Sequence, residues 1–218
     1  MPDYSAARFH MVEGQIRVNK VTDQALIEAL STTPRERFVP KAVRGVAYVD
    51  EDVQIAPGRY LMEPMVLARL LQTAMVRSTD IALDLGCGTG YATALLARLA
   101  ATVVAVESDP ALAARASELL GELGVDNAAV VEAPLEEGYA QQAPYDVILV
   151  NGAVAEVPPV LFDQLAEGGR LVTVVAPRGR LGQARIFSKA GGSVSSRIIF
   201  EAGTPLLPGF EPKPAFEF

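Results

Sequence analysis

The feature that most constrains the fold is a regular alternation of apolar and helical segments that begins at residue 80. Apolar runs typical of strands occupy residues 81–85, 102–107, 128–133, 145–151, 169–176, 184–189 and 193–200, and helical spacing is found over residues 91–100, 110–123 and 158–165. This alternation predicts an α/β fold with a doubly wound, mostly parallel sheet covered on both faces. The last two runs flank the hairpin signal AGGS, so we expect the sheet to end in an antiparallel pair.

The N-terminal part of the chain lacks this alternation. Apolar residues spaced by three and four predict two short helices, over residues 5–17 and 22–31. Thr22 stands where a residue could cap the second helix. We therefore expect a short helical lobe in front of the sheet.

A loop is expected to connect this lobe to the sheet. Residues 45–64 show no clear period and predict an ordered loop with one short strand, after which Pro64 suits the first turn of a helix running to about Met75. We divide the chain into a helical lobe with its loop, residues 1–63, and an α/β domain, residues 64–218. The two parts are expected to pack as one compact unit.

The charge of the chain bears on its partners. Its 218 residues carry a net charge of −7, which argues against a nucleic-acid partner because phosphate binding needs clustered Lys and Arg. Two small groups of arginines exist, and we expect both on solvated loops: Arg35 with Arg37, and Arg178 with Arg180 and Arg185. The expected partner is therefore not a nucleic acid.

The cysteine count and the N-terminal sequence bear on compartment and metal binding. The single cysteine, Cys87, excludes an internal disulfide and fits a reducing compartment, and the chain has no Cys and His cluster that predicts a metal site. Residues 1–17 lack the features of a signal peptide, and no apolar stretch predicts a membrane span. We expect a cytoplasmic protein without a membrane partner or a metal. The sequence leaves the oligomeric state open between a monomer and a weak homodimer.

The sequence LDLGCGTGY, residues 83–91, places three glycines directly after the first strand of the alternating region. Gly86, Gly88 and Gly90 supply the backbone freedom of a nucleotide-binding loop. A dinucleotide fingerprint would need a glycine where Tyr91 stands, and no Gly-Lys-Ser or Gly-Lys-Thr follows, so neither a pyrophosphate loop nor a P-loop is present. The loop is expected to bind a nucleoside without a pyrophosphate.

Two acids indicate which nucleoside. Glu107 ends the next strand, where a carboxylate can accept hydrogen bonds from both ribose hydroxyls. Asp84 precedes the glycines and can lie near a cationic group. A ligand with a ribose, a positive centre and no phosphate is S-adenosylmethionine. The alternative for the glycines is a purely structural turn.

At this point the chain resembles the class I S-adenosylmethionine-dependent methyltransferases and, over nearly its whole length, the protein-L-isoaspartate O-methyltransferase family. The segments that carry the resemblance are MVEGQIR, TPRERFVP, AYVDED, LDLGCGTGYATALLA and APYDVILVNGAVAEVPPVLFDQLAEGGRLVTVV. The resemblance implies the Rossmann-like fold of class I methyltransferases with S-adenosyl-L-methionine as cofactor. It also implies methylation of the free α-carboxylate of isoaspartyl residues, a repair reaction whose partner is a damaged protein or peptide.

Carried over position by position, the resemblance implies a set of site residues. Glu107 would hold the ribose, and Asn151 with Gly152 would border the transfer site. The implied cofactor-binding residues are Asp84, Leu85, Gly86, Cys87, Gly88, Gly90, Glu107, Ser108, Pro134, Leu135 and Asn151. Pro134 and Leu135 belong to a stretch where the family has Gly-Asp-Gly, so the adenine contact differs here.

The second departure from the family lies in the substrate loop. Where the family reads Thr-Ile-Ser-Gln-Pro, this chain has Tyr60, Leu61, Met62 and Glu63 before Pro64. The family serine is implied to contact the substrate carboxylate, and Met62 holds its place among the candidate catalytic positions. Arg59 is a second candidate, because its guanidinium could replace the missing hydroxyl, whereas the charge of Glu63 would oppose a carboxylate substrate.

These departures keep two other functions open. One is a methyltransferase of the same fold with a different acceptor, and the other is a protein that binds S-adenosylmethionine without catalysis. Residues 200–210 resemble the segment that closes over the substrate in the family. They can equally be read as a proline-stiffened tail packed on the edge of the sheet.

Overall fold

The computed structural model describes residues 3–212, so residues 1–2 and 213–218 of the predicted segments lie outside it. Within the described part, the α-helices are α1 Ser5–Met11, α2 Gln24–Thr32, α3 Pro64–Ala74, α4 Tyr91–Ala97, α5 Pro110–Glu122 and α6 Pro159–Asp163. The strands are β1 Val53–Ala56, β2 Arg59–Leu61, β3 Ile81–Leu85, β4 Thr102–Glu107, β5 Ala128–Glu132, β6 Tyr145–Val154, β7 Leu165–Val175, β8 Gln183–Ala190 and β9 Ser193–Glu201. None of these helices is long and apolar enough to cross a membrane.

Seven strands form the central sheet in the order β5-β4-β3-β6-β7-β8-β9. The first five in this order are parallel, and β8 and β9 are each antiparallel to the preceding strand, which confirms the predicted mostly parallel sheet with a final antiparallel pair. Leu83 of β3 is paired with Val104 of β4 on one side and with Ile148 of β6 on the other. The strand order therefore reverses between β3 and β6, where open α/β sheets bind their ligands.

The sheet is apolar on both faces, as expected for a covered parallel sheet. On one face, residues such as Ala82, Val103 and Leu149 belong to a core that also contains residues of α2 to α5 and of the N-terminal lobe. On the other face, Leu83 and Ile148 pack with α6, with the turn at residues 135–137 and with the segment after β9. The first core joins both predicted parts of the chain, while the boundary between residues 63 and 64 stays a prediction.

The N-terminal lobe differs from the prediction in its local detail. Helix α1 continues into a wider turn over Val12–Ile16 and a tight turn over Arg17–Asn19, so residues 5–17 are not one regular α-helix. Helix α2 is capped by Asp23 and not by Thr22, because the Asp23 carboxylate accepts a hydrogen bond from the N–H of Leu26 at 2.9 Å.

The expected loop of residues 45–64 contains two strands instead of one. Strands β1 and β2 form an antiparallel hairpin that pairs with no other strand within residues 3–212. The hairpin turns at Gly58, whose φ of 69° lies in the left-handed region that favours glycine. Strands of three and four residues are too short to show an alternating pattern in the sequence.

Helix α3 begins at Pro64 and ends near Met75, as predicted, and a largely buried arginine fixes its end. Arg170 of β7 donates to the carbonyl oxygens of Ala74 and Met75, each at 2.8 Å, and to the carboxylate of Asp80 at 2.7 Å. One side chain thus satisfies carbonyls that the end of the helix leaves free and pairs a buried carboxylate.

We expect Arg170→Leu to lower the free energy of unfolding by about 3 kcal/mol, because it leaves the Asp80 carboxylate buried without its partner. Urea denaturation measures this loss. The exposed Arg178→Leu serves as the control and should change stability by less than about 0.5 kcal/mol. A double variant, Asp80→Asn with Arg170→Leu, should recover part of the loss, and equal losses in the single and double variants would contradict the explanation.

Candidate active site

The floor of the candidate site is the glycine loop between β3 and α4. Gly86, Gly88 and Gly90 all have left-handed backbone conformations, with φ of 81°, 58° and 93°. The N–H groups of Gly86 and Cys87 donate to the carbonyl oxygen of Val106 at 2.8 and 3.1 Å, which ties the loop to the end of β4. The three glycine positions need glycine because of their left-handed conformation and because an added Cβ would lie close to neighbouring side chains.

The carboxylate of Glu107 at the end of β4 is fully buried and organises the surrounding backbone. It accepts hydrogen bonds from the N–H groups of Gly88, Ser108 and Asp109 at 2.7, 2.8 and 3.1 Å. Both terminal nitrogens of Arg59 also donate to it, Nη2 at 2.6 Å from Oε2 and Nη1 to Oε1. The predicted ribose acceptor therefore has five donors from the protein itself.

Arg59 of the hairpin is buried beside the glycine loop, with 4% of its surface exposed. Besides Glu107, its Nη2 donates to the carbonyl oxygen of Gly86 at 3.1 Å, and its Nε has no hydrogen-bond partner in the part of the chain that the structure describes. The sequence named Arg59 for a substrate contact. The structure places it on the predicted cofactor carboxylate.

Asp84 lies deeper than the glycines and is fully buried at the end of β3. Its carboxylate accepts hydrogen bonds from Thr93 Oγ1 at 2.6 Å and from Asn151 Nδ2 at 3.2 Å. Burial raises its pKa to about 6, although these two hydrogen bonds act in the opposite direction. Asp84 and Asn151, predicted as site residues, are thus brought into contact across the switch point.

Cys87 lies within the glycine loop and is buried. Burial, together with the nearby carboxylates of Asp84 and Glu107, raises the pKa of its thiol well above the ordinary value. Because the thiolate is the nucleophilic form, this position does not supply a nucleophile.

The segment after β9 covers the other side of the loop. Leu207 and Pro205 are held by backbone hydrogen bonds to Ala153, at 2.8 and 2.9 Å. A Cβ atom added to Gly86 or Gly152 would lie 3.1 or 2.5 Å from the side chain of Leu207. Residues 200–210 therefore reach over the predicted transfer site as well as packing at the end of β6.

A small cavity of about 10 Å³ lies between the hairpin, β6 and this segment. It is the size of about one water molecule. Its lining residues are Asp52, Gly58, Tyr60, Met62, Asn151, Gly152, Thr204, Pro205, Leu206 and Leu207. Met62 and Tyr60 of the substrate loop thus border the cavity together with Asn151.

The remaining predicted residues do not line this cavity. Leu61 and Leu85 are buried in the cores, and the Ser108 backbone is bound to Glu107. Pro134 is exposed, whereas Leu135 is buried against the second face of the sheet.

Arg35 is a site residue that the sequence did not reveal. The expectation that it lies on a solvated loop is wrong, because its side chain is fully buried. Its Nη2 donates to the carbonyl oxygen of Met62 at 2.7 Å, and its Nε donates to that of Ala47 at 2.6 Å. The guanidinium also lies 5.0 Å from the centre of the Tyr91 ring. Arg35 therefore fixes the backbone of the substrate loop against the start of α4, and burial lowers its pKa from the ordinary value.

The open sheet with a glycine loop and a buried carboxylate at its switch point is the arrangement of the class I methyltransferases. The model of the Protein-L-isoaspartate(D-aspartate) O-methyltransferase family matches residues 7–202, and the chain belongs to this family. This membership confirms the resemblance found in the sequence.

Several known proteins are similar to the chain. Protein-L-isoaspartate O-methyltransferases from Methanoculleus marisnigri and Koribacter versatilis are 44% and 42% identical to it, over 78% and 79% of this chain and 78% of each relative. A solved protein-L-isoaspartate O-methyltransferase superposes with a TM-score of 0.82 at 26% identity, and the match covers 93% of this chain and 66% of that one. A structure from Plasmodium falciparum, described as this methyltransferase in complex with S-adenosyl-L-homocysteine, has a TM-score of 0.79 at 18% identity, over 95% and 99% of the two chains.

Glu63 follows Met62 and gives the site a pH dependence. Burial, with the charges of Asp50, Asp52 and Glu51, raises the pKa of Glu63 from 4.5 to about 7. The folded protein therefore binds this proton more tightly than the unfolded chain does. The resulting stabilisation is fully present below pH 4.5 and is lost as the pH rises to about 7.

We expect Glu63→Gln to remove this part of the pH dependence and to stabilise the protein at pH 8. Since Glu63 is partly exposed, the gain should be on the order of 1 kcal/mol, or about 2–4 °C in Tm. Thermal unfolding between pH 5 and 8 measures it, with the exposed Glu156→Gln as control. A Glu63→Gln profile parallel to that of the wild type would refute the assignment.

Proposed function

We propose that this protein is an S-adenosylmethionine-dependent methyltransferase that methylates the free α-carboxylate of isoaspartyl residues in damaged proteins or peptides. Family membership over residues 7–202 and the relatives of that name support the proposal. The observation that carries it is the position of Glu107 and the glycine loop, which adjoin at the switch point of the sheet.

The residues at this point fit the cofactor chemically. Gly86 and Gly88 allow close approach to the backbone, and Glu107 offers the carboxylate that two ribose hydroxyls require. In the conformation described, however, side chains of the protein fill this space: a Cβ on Gly88 would lie 2.7 Å from Ile55, and Arg59 covers Glu107. The glycines and the Glu107 carboxylate fit the cofactor, and the hairpin has to withdraw for the cofactor to enter.

When bound, S-adenosylmethionine supplies an electrophilic methyl group on a sulfonium. The proposed acceptor is an α-carboxyl group with a reference pKa of about 3.5, so it is ionised at pH 7 and needs no general base. The protein contributes positioning and exclusion of water, and positioning alone can supply about 7 kcal/mol or more of the barrier.

Different parts of the chain would serve these two tasks. Glu107 would hold the ribose, and the glycine loop would lie along the methionine part of the cofactor. Arg35 holds the Met62 backbone at the cavity, and Leu207 covers the loop from the opposite side. The reacting groups would thus meet between the substrate loop and the end of β6.

The deciding experiment is transfer of labelled methyl from S-adenosylmethionine to an isoaspartyl peptide, with the matching aspartyl peptide as control. We expect base-labile label on the isoaspartyl peptide alone, because a methyl ester forms only on the free α-carboxylate. Label on both peptides or on neither would contradict the proposed acceptor. Label on a different acceptor would favour the alternative methyltransferase, to which the unusual Met62 and Glu63 point.

Met62→Ser tests the departure in the substrate loop. A hydroxyl bonded to a carboxylate is worth about 1.5–3 kcal/mol, so we expect turnover to rise by about tenfold or more with little change in cofactor affinity. Met62→Leu is the matched control, because it keeps an apolar side chain of similar volume and should leave turnover within about twofold. Equal rates in both variants would show that position 62 does not contact the acceptor.

A further inference from the structure

The proposed function leaves two features of the site without an explanation. Arg59 covers the carboxylate that the ribose requires, and the acceptor carboxylate has no cationic partner. We propose that Arg59 exchanges between these two anions: it is bound to Glu107 before the cofactor enters, and it is then transferred to the acceptor carboxylate. This inference rests on the proposed function and gives its site a carboxylate receptor.

The first step follows from the hydrogen bonds of Glu107. A carboxylate offers about four lone-pair sites, and Glu107 already accepts from three backbone N–H groups and from both ends of the Arg59 guanidinium. The backbone donors belong to the glycine loop and to the residues that follow β4, and the proposal keeps them in place. Two ribose hydroxyls can therefore bind only where the guanidinium now lies, so Arg59 and the cofactor compete for the same oxygens.

The second step concerns the element that carries Arg59. Among the described strands, those of hairpin β1–β2 pair only with each other, and two-stranded hairpins are marginally stable on their own. Residues of the hairpin border two cavities: Gly58 and Tyr60 line the small one, and Ile55 lines a cavity of about 370 Å³ together with Thr89. Withdrawal of the hairpin would move Ile55 away from Gly88 and open space for the nucleoside over the glycine loop.

The third step concerns the fate of the displaced charge. A buried guanidinium without its partner is strongly unfavourable, so Arg59 needs a new anion when the ribose takes Glu107. Both sequence neighbours of Arg59 border the small cavity, and no cation is among the described residues that line it. The acceptor carboxylate that the reaction brings to this cavity is the matching anion. Met62 offers it no hydrogen bond.

The exchange makes a thermodynamic prediction. Cofactor binding releases Arg59 and thereby creates affinity for the acceptor, so the two ligands should bind with positive coupling. Only molecules in which Arg59 has left Glu107 can bind the cofactor. The apparent cofactor affinity is therefore the intrinsic affinity multiplied by the fraction of such molecules.

The experiment compares wild type, Arg59→Gln and Arg59→Lys by calorimetry. S-adenosyl-L-homocysteine is titrated into each protein, and an isoaspartyl peptide is titrated into each protein with and without it. Arg98→Gln is the matched control, since it removes one positive charge that borders neither cavity and whose own partner is the exposed Glu28. Thermal unfolding verifies that each variant is folded. If Arg59→Gln does not fold, Arg59→Lys still allows the test.

In the wild type, we expect the peptide to bind at least fivefold more tightly when S-adenosyl-L-homocysteine is present. In Arg59→Gln, S-adenosyl-L-homocysteine should bind at least tenfold more tightly than to wild type, the peptide at least tenfold more weakly, and the coupling should fall to about onefold. Arg59→Lys should lie between the two, because it keeps the charge but loses the paired donors. Arg98→Gln should match the wild type.

Unchanged affinity for S-adenosyl-L-homocysteine in Arg59→Gln would overturn the exchange, as would tighter binding with unchanged peptide affinity. The first of these titrations involves no acceptor and no turnover. Its result therefore separates a failure of the exchange from a failure of the proposed function, which the labelled-methyl assay reports.

Discussion

The buried carboxylate of Glu107 is the interaction on which the rest of the site depends. Burial of an unpaired carboxylate costs several kcal/mol, and this one is stabilised by three backbone N–H groups and a guanidinium. The parallel register of β3 and β4 places it there, because Leu85 is paired with Val106. One side chain thus orients the glycine loop, the residues after β4 and the hairpin. The carboxylate oxygens that now bind Arg59 are the ones that a ribose would use.

A second buried arginine, Arg35, holds the substrate loop through contacts that no ligand would displace. Arg35 donates to the carbonyl oxygens of Ala47 and Met62, which are fixed parts of the backbone and compete with no ligand. The loop that precedes α3 is therefore anchored at Met62, whereas the guanidinium of Arg59 is held by a group that the cofactor also requires. Under the proposed function and the proposed exchange, Arg35 would keep the acceptor side of the site fixed, whereas the contact of Arg59 with Glu107 would give way to the cofactor.

The fold was largely predictable from the sequence, since apolar strands and helical segments long enough to show a period gave the sheet and its final antiparallel pair. The glycine loop was predictable too, because positive φ angles restrict residues 86, 88 and 90 to glycine. Partners across long sequence separations were not: nothing local indicates that Arg59 pairs with Glu107, or that Arg35 reaches Met62. The sequence predicts only one strand in residues 45–64, because the two strands of the hairpin are too short to show a period.

The departures from the family pattern at residues 60–63 become consistent when they are considered together with the charged groups around them. Asp50, Asp52 and Glu63 make this loop acidic, and burial with mutual repulsion raises the pKa of Glu63 to about 7. A carboxylate acceptor would be repelled by such a loop if it met no cation. With Arg59 bound to Glu107, that cation is neutralised and the acceptor site is unfavourable. Once a ribose replaces it, the same arginine offsets the acidic loop, so an acceptor would bind well only to the protein that already holds its cofactor.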